Sequence, residues 1–382
     1  MSATATDTVR AEKPQGVPGG GRPSGPRGPG PNAFTSGQLP RFVELYTLGV
    51  ALLLSGAVFA LIGFSIAGCL VTAALIYLVG IGVLSTVVEN RRKATDRVVR
   101  SLVMIAFLLA MIPLVSTLAT VVDHGWASMT WQFITGTGGS VFDPATLKVT
   151  VVQGALQAIV GTLIITGIAA LISIPIGILT AIYLVEYAQP SQWMPRTVTF
   201  LVDVMTGIPS IVAGLFAFAL ATLIVGPKAF SGFSAAIALS VLMIPIVVRS
   251  TEEMLKLVSM DLREASFALG VTKFATIVKV VLPTAIAGIV TGVMLAISRV
   301  IGETAPIFIA ASFTDNFNAN PFGGAMQTLP VMVYTGYKFP SSDIAVSYQS
   351  AWGAALLLVL LVVVLNLIAR IVARIFSPKG LR

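Results

Sequence analysis

The sequence has little charge and very few residues that could bind a metal or form a disulfide. Only 10% of its 382 residues are charged, whereas 56% are hydrophobic, and it holds one cysteine and one histidine. Because Cys69 is the only cysteine, an internal disulfide is excluded. Because His124 is the only histidine, the sequence also argues against a His/Cys metal centre. The patterns G-x-x-x-x-G-K-[ST], H-E-x-x-H and G-x-S-x-G are also absent. The sequence therefore gives no support to a nucleotide hydrolase, a zinc protease or a serine hydrolase of the usual kinds.

The sequence is instead rich in long apolar segments. The mean hydropathy is +0.93, and several segments reach the roughly 20 apolar residues that a helix needs to cross a bilayer. We therefore expect an all-α polytopic membrane protein with about eight spans, in which an N-terminal two-helix hairpin precedes a core of about six helices. The predicted spans are Tyr46–Phe64, Ile66–Val88, Leu102–Val122, Leu156–Tyr187, Phe200–Val225, Phe233–Val248, Pro283–Phe313 and Ala351–Ile375.

The distribution of positive charge predicts the orientation of these spans. Of the 24 basic residues, 20 fall in segments that this topology places in the cytoplasm, and only Lys148, Lys228 and Lys338 fall in outer loops. Such a bias indicates that both termini are cytoplasmic. The net charge of +8 is thus explained by membrane orientation, and membrane lipid rather than nucleic acid is the expected partner. The remaining basic residue, Arg299, lies within a predicted span.

A polar segment of 20 residues, Glu264–Pro283, separates two of the apolar runs. Asp261 and Glu264 have the spacing of a capping box, so we expect Asp261 to cap a short helix. Gly270 is suited to a left-handed helix end, Thr272 to the cap of a second short helix, and Pro283 to the first turn of the next long helix. The pattern predicts a compact helical elbow at the membrane surface.

This elbow resembles the EAA loop of the permease subunits of bacterial ABC importers. Ser266 stands where that motif has alanine, and Val280 where it has isoleucine. The resemblance implies a type I, MetI-like permease domain at 151–375, with a coupling loop at 252–283 that docks on a separate ATPase. It assigns the ATPase contact to Glu264, Ala265, Ser266, Gly270, Leu282 and Pro283.

The other predicted segments flank this domain. Residues 1–40 contain 8 glycines and 7 prolines, which predicts a disordered cytoplasmic tail without the apolar region of a signal peptide. Residues 41–90 form the hairpin, residues 91–150 a basic cytoplasmic segment with the third span and an outer loop, and residues 376–382 a cytoplasmic tail.

Arg299 and Glu303 are the candidate substrate-pathway residues. Arg299 lies 16 residues after Pro283, which corresponds to about 24 Å along a helix and hence to membrane depth. Charges at that depth usually face an interior or a water-filled path. The alternative is a structural pair in which Glu303 neutralises Arg299 one turn away. For Asp203, near the start of its span, a structural hydrogen bond is at least as good an explanation as a functional role.

Three further segments resemble phosphate ABC permeases, and of their two permease subunits the PstA type. They are RVIGETAPIF (299–308), GIPSIVAGLF (207–216) and IPIVVRSTEEML (244–255). The resemblance implies a non-enzymatic, multi-pass subunit in the bacterial plasma membrane that forms half of a phosphate pathway, with Arg299, Glu303 and Thr304 along it.

The same resemblance implies the rest of the complex. The expected partners are a homologous PstC-like permease, a dimer of PstB-like ATP-binding subunits and an extracytoplasmic PstS-like phosphate-binding protein. ATP and Mg would be bound by the ATPase, and this chain would bind no cofactor. Sulfate or molybdate is the alternative substrate. Hydropathy alone also fits a secondary transporter or channel, but neither accounts for the elbow.

Overall fold

The computed structural model describes residues 39–40, 42–63, 65–143, 148–189, 191–227, 229–341 and 343–376. Most of these are helical, which confirms the all-α class. The predicted tails at 1–40 and 376–382 lie outside the described residues apart from 39, 40 and 376. Chain contacts divide the protein into two compact units, Met1–Leu114 and Val115–Arg382.

The first unit contains the predicted hairpin. Helix α1 (Val43–Ile62) and helix α2 (Ile66–Val88) are followed by α3 (Arg91–Trp126), which runs on into the second unit. The basic cluster predicted to precede the third span is thus already part of its helix.

One guanidinium joins the three helices of this unit. Arg97 on α3 donates to both carboxylate oxygens of Glu89, at 2.9 and 3.0 Å, and to Glu44 on α1 at 3.0 Å. Ser85 on α2 donates to Glu89 as well, at 2.8 Å. Hydrogen bonds from Arg97 and from the Leu39 backbone lower the pKa of the Glu89 carboxyl to about 2.

In the second unit, α3 is followed by a structured connection that the sequence did not predict. Helix α4 (Trp131–Thr135) is followed by strands β1 (Gly139–Asp143) and β2 (Lys148–Val152), which pair antiparallel with Gly139 opposite Val152. They lie in the segment expected to be an outer loop. Helix α5 (Leu156–Ile182) and a first π-helical turn, Tyr183–Tyr187, then match the predicted fourth span.

The predicted fifth span is not one straight helix. Helix α6 (Trp193–Thr206) and helix α7 (Ser210–Val225) meet at a bend of 107°. The break falls in the Gly-Ile-Pro segment at 207–209, because Pro209 lacks the backbone N–H that a continuous helix would use. Helix α8 (Gly232–Lys256) follows and is longer than predicted at its C-terminal end.

The rest of the chain carries the elbow and the last helices. Helices α9 (Met260–Ala268) and α10 (Lys273–Thr276) are followed by a second π-helical turn, Ile277–Val281, and by α11 (Leu282–Val300). The predicted seventh span is wrong beyond residue 300, because the chain breaks there before α12 (Ala305–Ala311). Helix α13 (Leu329–Lys338) lies in a segment expected to be a loop, and α14 (Ile344–Phe376) is the last helix.

Among the described residues, seven helices are long and apolar enough to cross a membrane, or eight when α6 and α7 count as one bent span. This agrees with the predicted number. The core of the second unit lies where α5, α8 and α11 meet, around Ile165, Leu239, Met243 and Ala296. Small residues let these helices approach: a Cβ atom added at Gly292 of α11 would stand only 2.5 Å from the hydroxyl oxygen of Ser250 on α8.

Candidate substrate cavity and coupling elbow

Arg299 lies in the last turn of α11, with its side chain on the surface of the chain. Glu303 does not continue that helix: its backbone N–H closes a tight turn onto the carbonyl of Val300 at 3.1 Å. Among the described residues, no ion pair joins Arg299 to Glu303 or to any other carboxylate. The structural pair considered from the sequence is therefore not formed, because the helix it requires ends between the two residues.

Arg299 and Glu303 line one cavity of about 170 Å³. Its other walls come from the bend between α6 and α7 and from the middle of α8. Each of the three segments quoted from the sequence, at 207–216, 244–255 and 299–308, contributes to it. The lining residues are Met205, Thr206, Ile208, Ser210, Leu242, Pro245, Ile246, Arg299, Val300 and Glu303.

Thr304 is the predicted pathway residue that does not line this cavity. It is half-buried and lies immediately before α12, where its backbone carbonyl accepts from Phe308 N–H at 2.9 Å. The structure therefore brings Arg299 and Glu303 together and leaves Thr304 beside them.

The cavity also receives the N-terminus of α7. That helix begins at Ser210, directly after Pro209, and no side chain caps it. Its first backbone N–H groups and the Ser210 hydroxyl are donors, and the N-terminus of a helix favours negative charge. Together with a permanently charged guanidinium at Arg299, they form a surface suited to an oxyanion.

Asp203 has a structural partner outside the cavity. It forms an ion pair with Arg249 of α8, and Arg249 also donates to Glu252 at 2.9 Å. Glu252 in turn pairs with Lys256 at 2.6 Å. This chain of charges fastens α6 to the C-terminal end of α8, as the structural explanation of Asp203 proposed.

The elbow is a pair of short helices joined by a left-handed glycine. Gly270 has φ +75°, as predicted. The backbone N–H groups of Gly270 and Val271 donate to the carbonyls of Phe267 and Ser266, at 2.9 and 3.2 Å. This is the Schellman pattern that ends a helix when glycine occupies the left-handed position.

Two further predictions about the elbow are confirmed and one is wrong. The Thr272 side chain caps α10 by accepting from Ala275 N–H at 3.4 Å, and Pro283 lies in the first turn of α11. Asp261, however, lies inside the first turn of α9 and is not its cap. The helix starts two residues earlier than expected, with Ser259 at the N-cap.

The predicted coupling residues divide into an outer and an inner group. Glu264, Ala265, Gly270 and Pro283 are exposed, and Leu282 is half-buried. Ser266 is 7% exposed, and its hydroxyl shares a hydrogen bond of 2.8 Å with that of Thr276. The residue that departs from the usual motif thus ties α9 to α10.

The elbow exposes several apolar side chains. Large hydrophobic residues are exposed along both of its helices. Several large apolar side chains exposed on one short element are typical of a protein–protein contact surface. These residues are Met260, Leu262, Phe267, Leu269 and Phe274.

Arg263 and Glu186 are residues of this region that sequence reasoning missed. They form an ion pair of 2.8 Å with both side chains only 8% exposed. Arg263 was counted among the cytoplasmic charges of the loop. Its spacing of three from Ser266 on the inner face of α9 is the one local signal that could have indicated burial.

The sequence of this chain is similar to a protein family and to several known proteins. Residues 173–381, more than half of the chain, match the family described as binding-protein-dependent transport system inner membrane component. Phosphate transport system permease protein PstA 1 of Mycobacterium tuberculosis (strain ATCC 25618 / H37Rv) is 41% identical over 273 residues, which cover 71% of this chain and 84% of that protein. Phosphate transport system permease protein PstA of Yersinia pestis is 35% identical over 296 residues, or 75% of this chain and 95% of that protein.

Among solved structures, a chain of a bacterial ABC transporter involved in the import of the acidic polysaccharide alginate aligns with a TM-score of 0.49. The identity is 14%, over 74% of this chain and 97% of that chain. On the family match and the identity to curated relatives, this multi-pass membrane protein belongs to the family of binding-protein-dependent transport system inner membrane components.

Proposed function

We propose that this chain is the permease subunit of an ATP-driven phosphate importer and forms half of the pathway for inorganic phosphate. The observation that carries the proposal is the cavity at the bend between α6 and α7, where Arg299 has no carboxylate partner among the described residues. The relatives of this chain that are named as phosphate permeases support phosphate, rather than sulfate or molybdate, as its substrate.

The cavity contains enough hydrogen-bond donors to bind an anion and a carboxylate that promotes its release. Arg299 offers a planar fork that matches two phosphate oxygens, and Ser210 with the first turn of α7 offers further donors. A site with only positive charge would bind phosphate too tightly for transport. Glu303, on the same cavity wall, competes for the guanidinium and makes the anion's binding reversible.

The elbow is the surface that docks on the ATPase. Its exposed apolar side chains and the exposed Glu264 are presented to a partner, while the Ser266–Thr276 bond keeps the two helices in one geometry. The sequence contains no G-x-x-x-x-G-K-[ST] pattern, which supports placing ATP, Mg and hydrolysis on that partner. This chain then binds no cofactor of its own.

The complete transporter contains three other kinds of subunit: a homologous PstC-like permease, two PstB-like ATP-binding subunits and a PstS-like phosphate-binding protein on the outer side. The chain lies in the bacterial plasma membrane with both termini in the cytoplasm. The 20 basic residues in the assigned cytoplasmic segments, against three in the outer loops, support that orientation.

Uptake of radiolabelled phosphate in cells that lack the chain tests this proposal. Wild-type chain should restore ATP-dependent uptake, whereas Arg299→Gln should abolish it although the protein still inserts and copurifies with the ATPase. Arg370→Gln, the same change at an exposed arginine of α14, is the control and should transport normally. Wild-type uptake by Arg299→Gln would refute the pathway. Restored uptake of sulfate or molybdate in place of phosphate would refute the substrate.

A further inference from the structure

Arg263 of α9 is bonded to two other elements at once. From the inner face of α9 its Nη2 and Nε atoms donate to one oxygen of Glu186, at 2.8 and 3.2 Å. The same guanidinium donates to the backbone carbonyl of Leu255 at 2.9 Å and to that of Val258. Glu186 belongs to the first π-helical turn, and Leu255 is in the last turn of α8. One side chain thus joins the elbow to the cytoplasmic ends of α5 and α8.

A buried ion pair is a poor source of stability, because removing both charges from water costs about as much as their attraction returns. The ion pair instead fixes the relative arrangement of the elements that it joins. The guanidinium is planar and its donors have fixed directions, so Arg263 can satisfy Glu186 and two carbonyls in only one arrangement of the three elements. An apolar contact of the same volume would hold the elements together but would let them slide.

A second contact reaches the same turn from the other half of the elbow. The ammonium of Lys273, the first residue of α10, lies 5.0 Å from the centre of the Tyr187 ring. Tyr187 follows Glu186 directly in the first π-helical turn. Both helices of the elbow therefore contact one five-residue segment, and π-helical turns of this kind are frequent at functional sites.

We infer that Arg263, acting with Glu186, is the positioning residue that transmits movement of the elbow to α5 and α8. Helix α8 supplies Leu242, Pro245 and Ile246 to the wall of the Arg299 cavity. A displacement of the C-terminal end of α8 would therefore move residues of the cavity wall. The inference rests on the proposed function, since it specifies how movement of the ATPase changes the substrate site.

The test uses the complete transporter, reconstituted in liposomes with its ATPase and binding protein. It measures ATP hydrolysis and phosphate uptake in the same sample. The key variant is E186L/R263M, which replaces the ion pair by apolar side chains of similar length. We expect it to insert, to copurify with the ATPase and to hydrolyse ATP, while the phosphate moved per ATP falls by about 2- to 30-fold. Glu253→Gln, at an exposed residue of α8, should leave that ratio unchanged.

An unchanged ratio in E186L/R263M would overturn the inference, because the pair would then be a replaceable structural contact. If the double variant does not accumulate in the membrane, the phosphate-to-ATP ratios of Tyr187→Leu and Tyr187→Phe are compared to test the inference. Leucine removes the aromatic ring and should lower the ratio by about 2- to 5-fold, whereas phenylalanine retains the ring and should not. Equal ratios in these two variants would also refute the inference. Absence of phosphate uptake by the wild-type complex would instead contradict the proposed function.

Discussion

Gly214 of α7 lies directly against Pro306 of α12: a Cβ atom added to the glycine would stand 2.7 Å from the Pro306 Cα atom. The two residues come from segments almost a hundred positions apart, and each follows closely on residues that line the cavity. Since the clash would be with backbone rather than with a flexible side chain, α7 and α12 cannot keep this distance if a side chain is added.

Gly214→Ala should therefore push α12 away from α7 and distort the cavity. Overpacking of this kind costs about 1–3 kcal/mol, so we expect a lower unfolding temperature of the purified protein and reduced phosphate uptake. The matched control is Gly167→Ala on α5, where an added Cβ meets nothing within 4 Å. If both alanine variants transport alike, the contact with Pro306 does not shape the cavity.

Gly270→Val should leave the protein in the membrane but uncouple phosphate transport from the ATPase. A left-handed conformation costs an L-residue about 1–2 kcal/mol and is worst for a β-branched side chain, so valine would destroy the Schellman ending of α9. Copurification of the ATPase measures the loss of docking. Gly270→Asn is the control, because asparagine tolerates the left-handed region and should retain most uptake.

Glu303→Gln should impair phosphate transport and relax discrimination against sulfate. Monohydrogen phosphate has a proton that it can donate to the carboxylate, whereas sulfate has none and is repelled. Competition of unlabelled sulfate with labelled phosphate uptake measures the effect, and sulfate should compete better with the variant than with the wild type. Identical competition curves would assign the rejection of sulfate to the binding protein alone.

Glu89 should stabilise the first unit in a pH-dependent way. Its pKa is lowered to about 2 from the ordinary value of 4.5, so the carboxylate contributes stability that is complete above pH 4.5 and is lost as the pH falls toward 2. Thermal unfolding of the wild type and of Glu89→Gln in detergent should differ most near neutral pH and converge on acidification. A difference that stays constant from pH 7 to pH 3 would show that Glu89 does not act through its charge.

The spans and the elbow followed from the sequence because each depends on local chemistry. Apolar length determines which helices can cross a bilayer, and Gly270 and Thr272 shape the elbow through their own backbone and side-chain preferences. The capping role given to Asp261 failed because the segment offers two candidates for the same position. Ser259 is the N-cap residue of α9, and serine and aspartate are both preferred there, so local preference alone could not choose between them.

The cavity could not have been predicted as a shape. Arg299 and Glu303 were chosen for their charge at membrane depth, but the residues opposite them come from the bend at 207–209 and from the middle of α8. Only the tertiary structure brings these segments together. Arg263 was missed for the same reason: its partner, Glu186, is 77 residues away in the chain, and an arginine beside the exposed Glu264 resembles any other solvated charge.

The second π-helical turn, Ile277–Val281, lies between the elbow and α11. A π-helical turn holds one residue more than an α-helical turn, and each residue of an α-helix advances the chain by about 100° around its axis. The π-helical turn therefore absorbs its extra residue within a single turn, and removing one residue here would let the segment become α-helical with little rotation of the elbow relative to Arg299. Removing one residue from the regular part of α11 would instead rotate the elbow by about 100°. The angular phase between the elbow and Arg299 thus depends on where a residue is added or removed, independently of which side chain it bears.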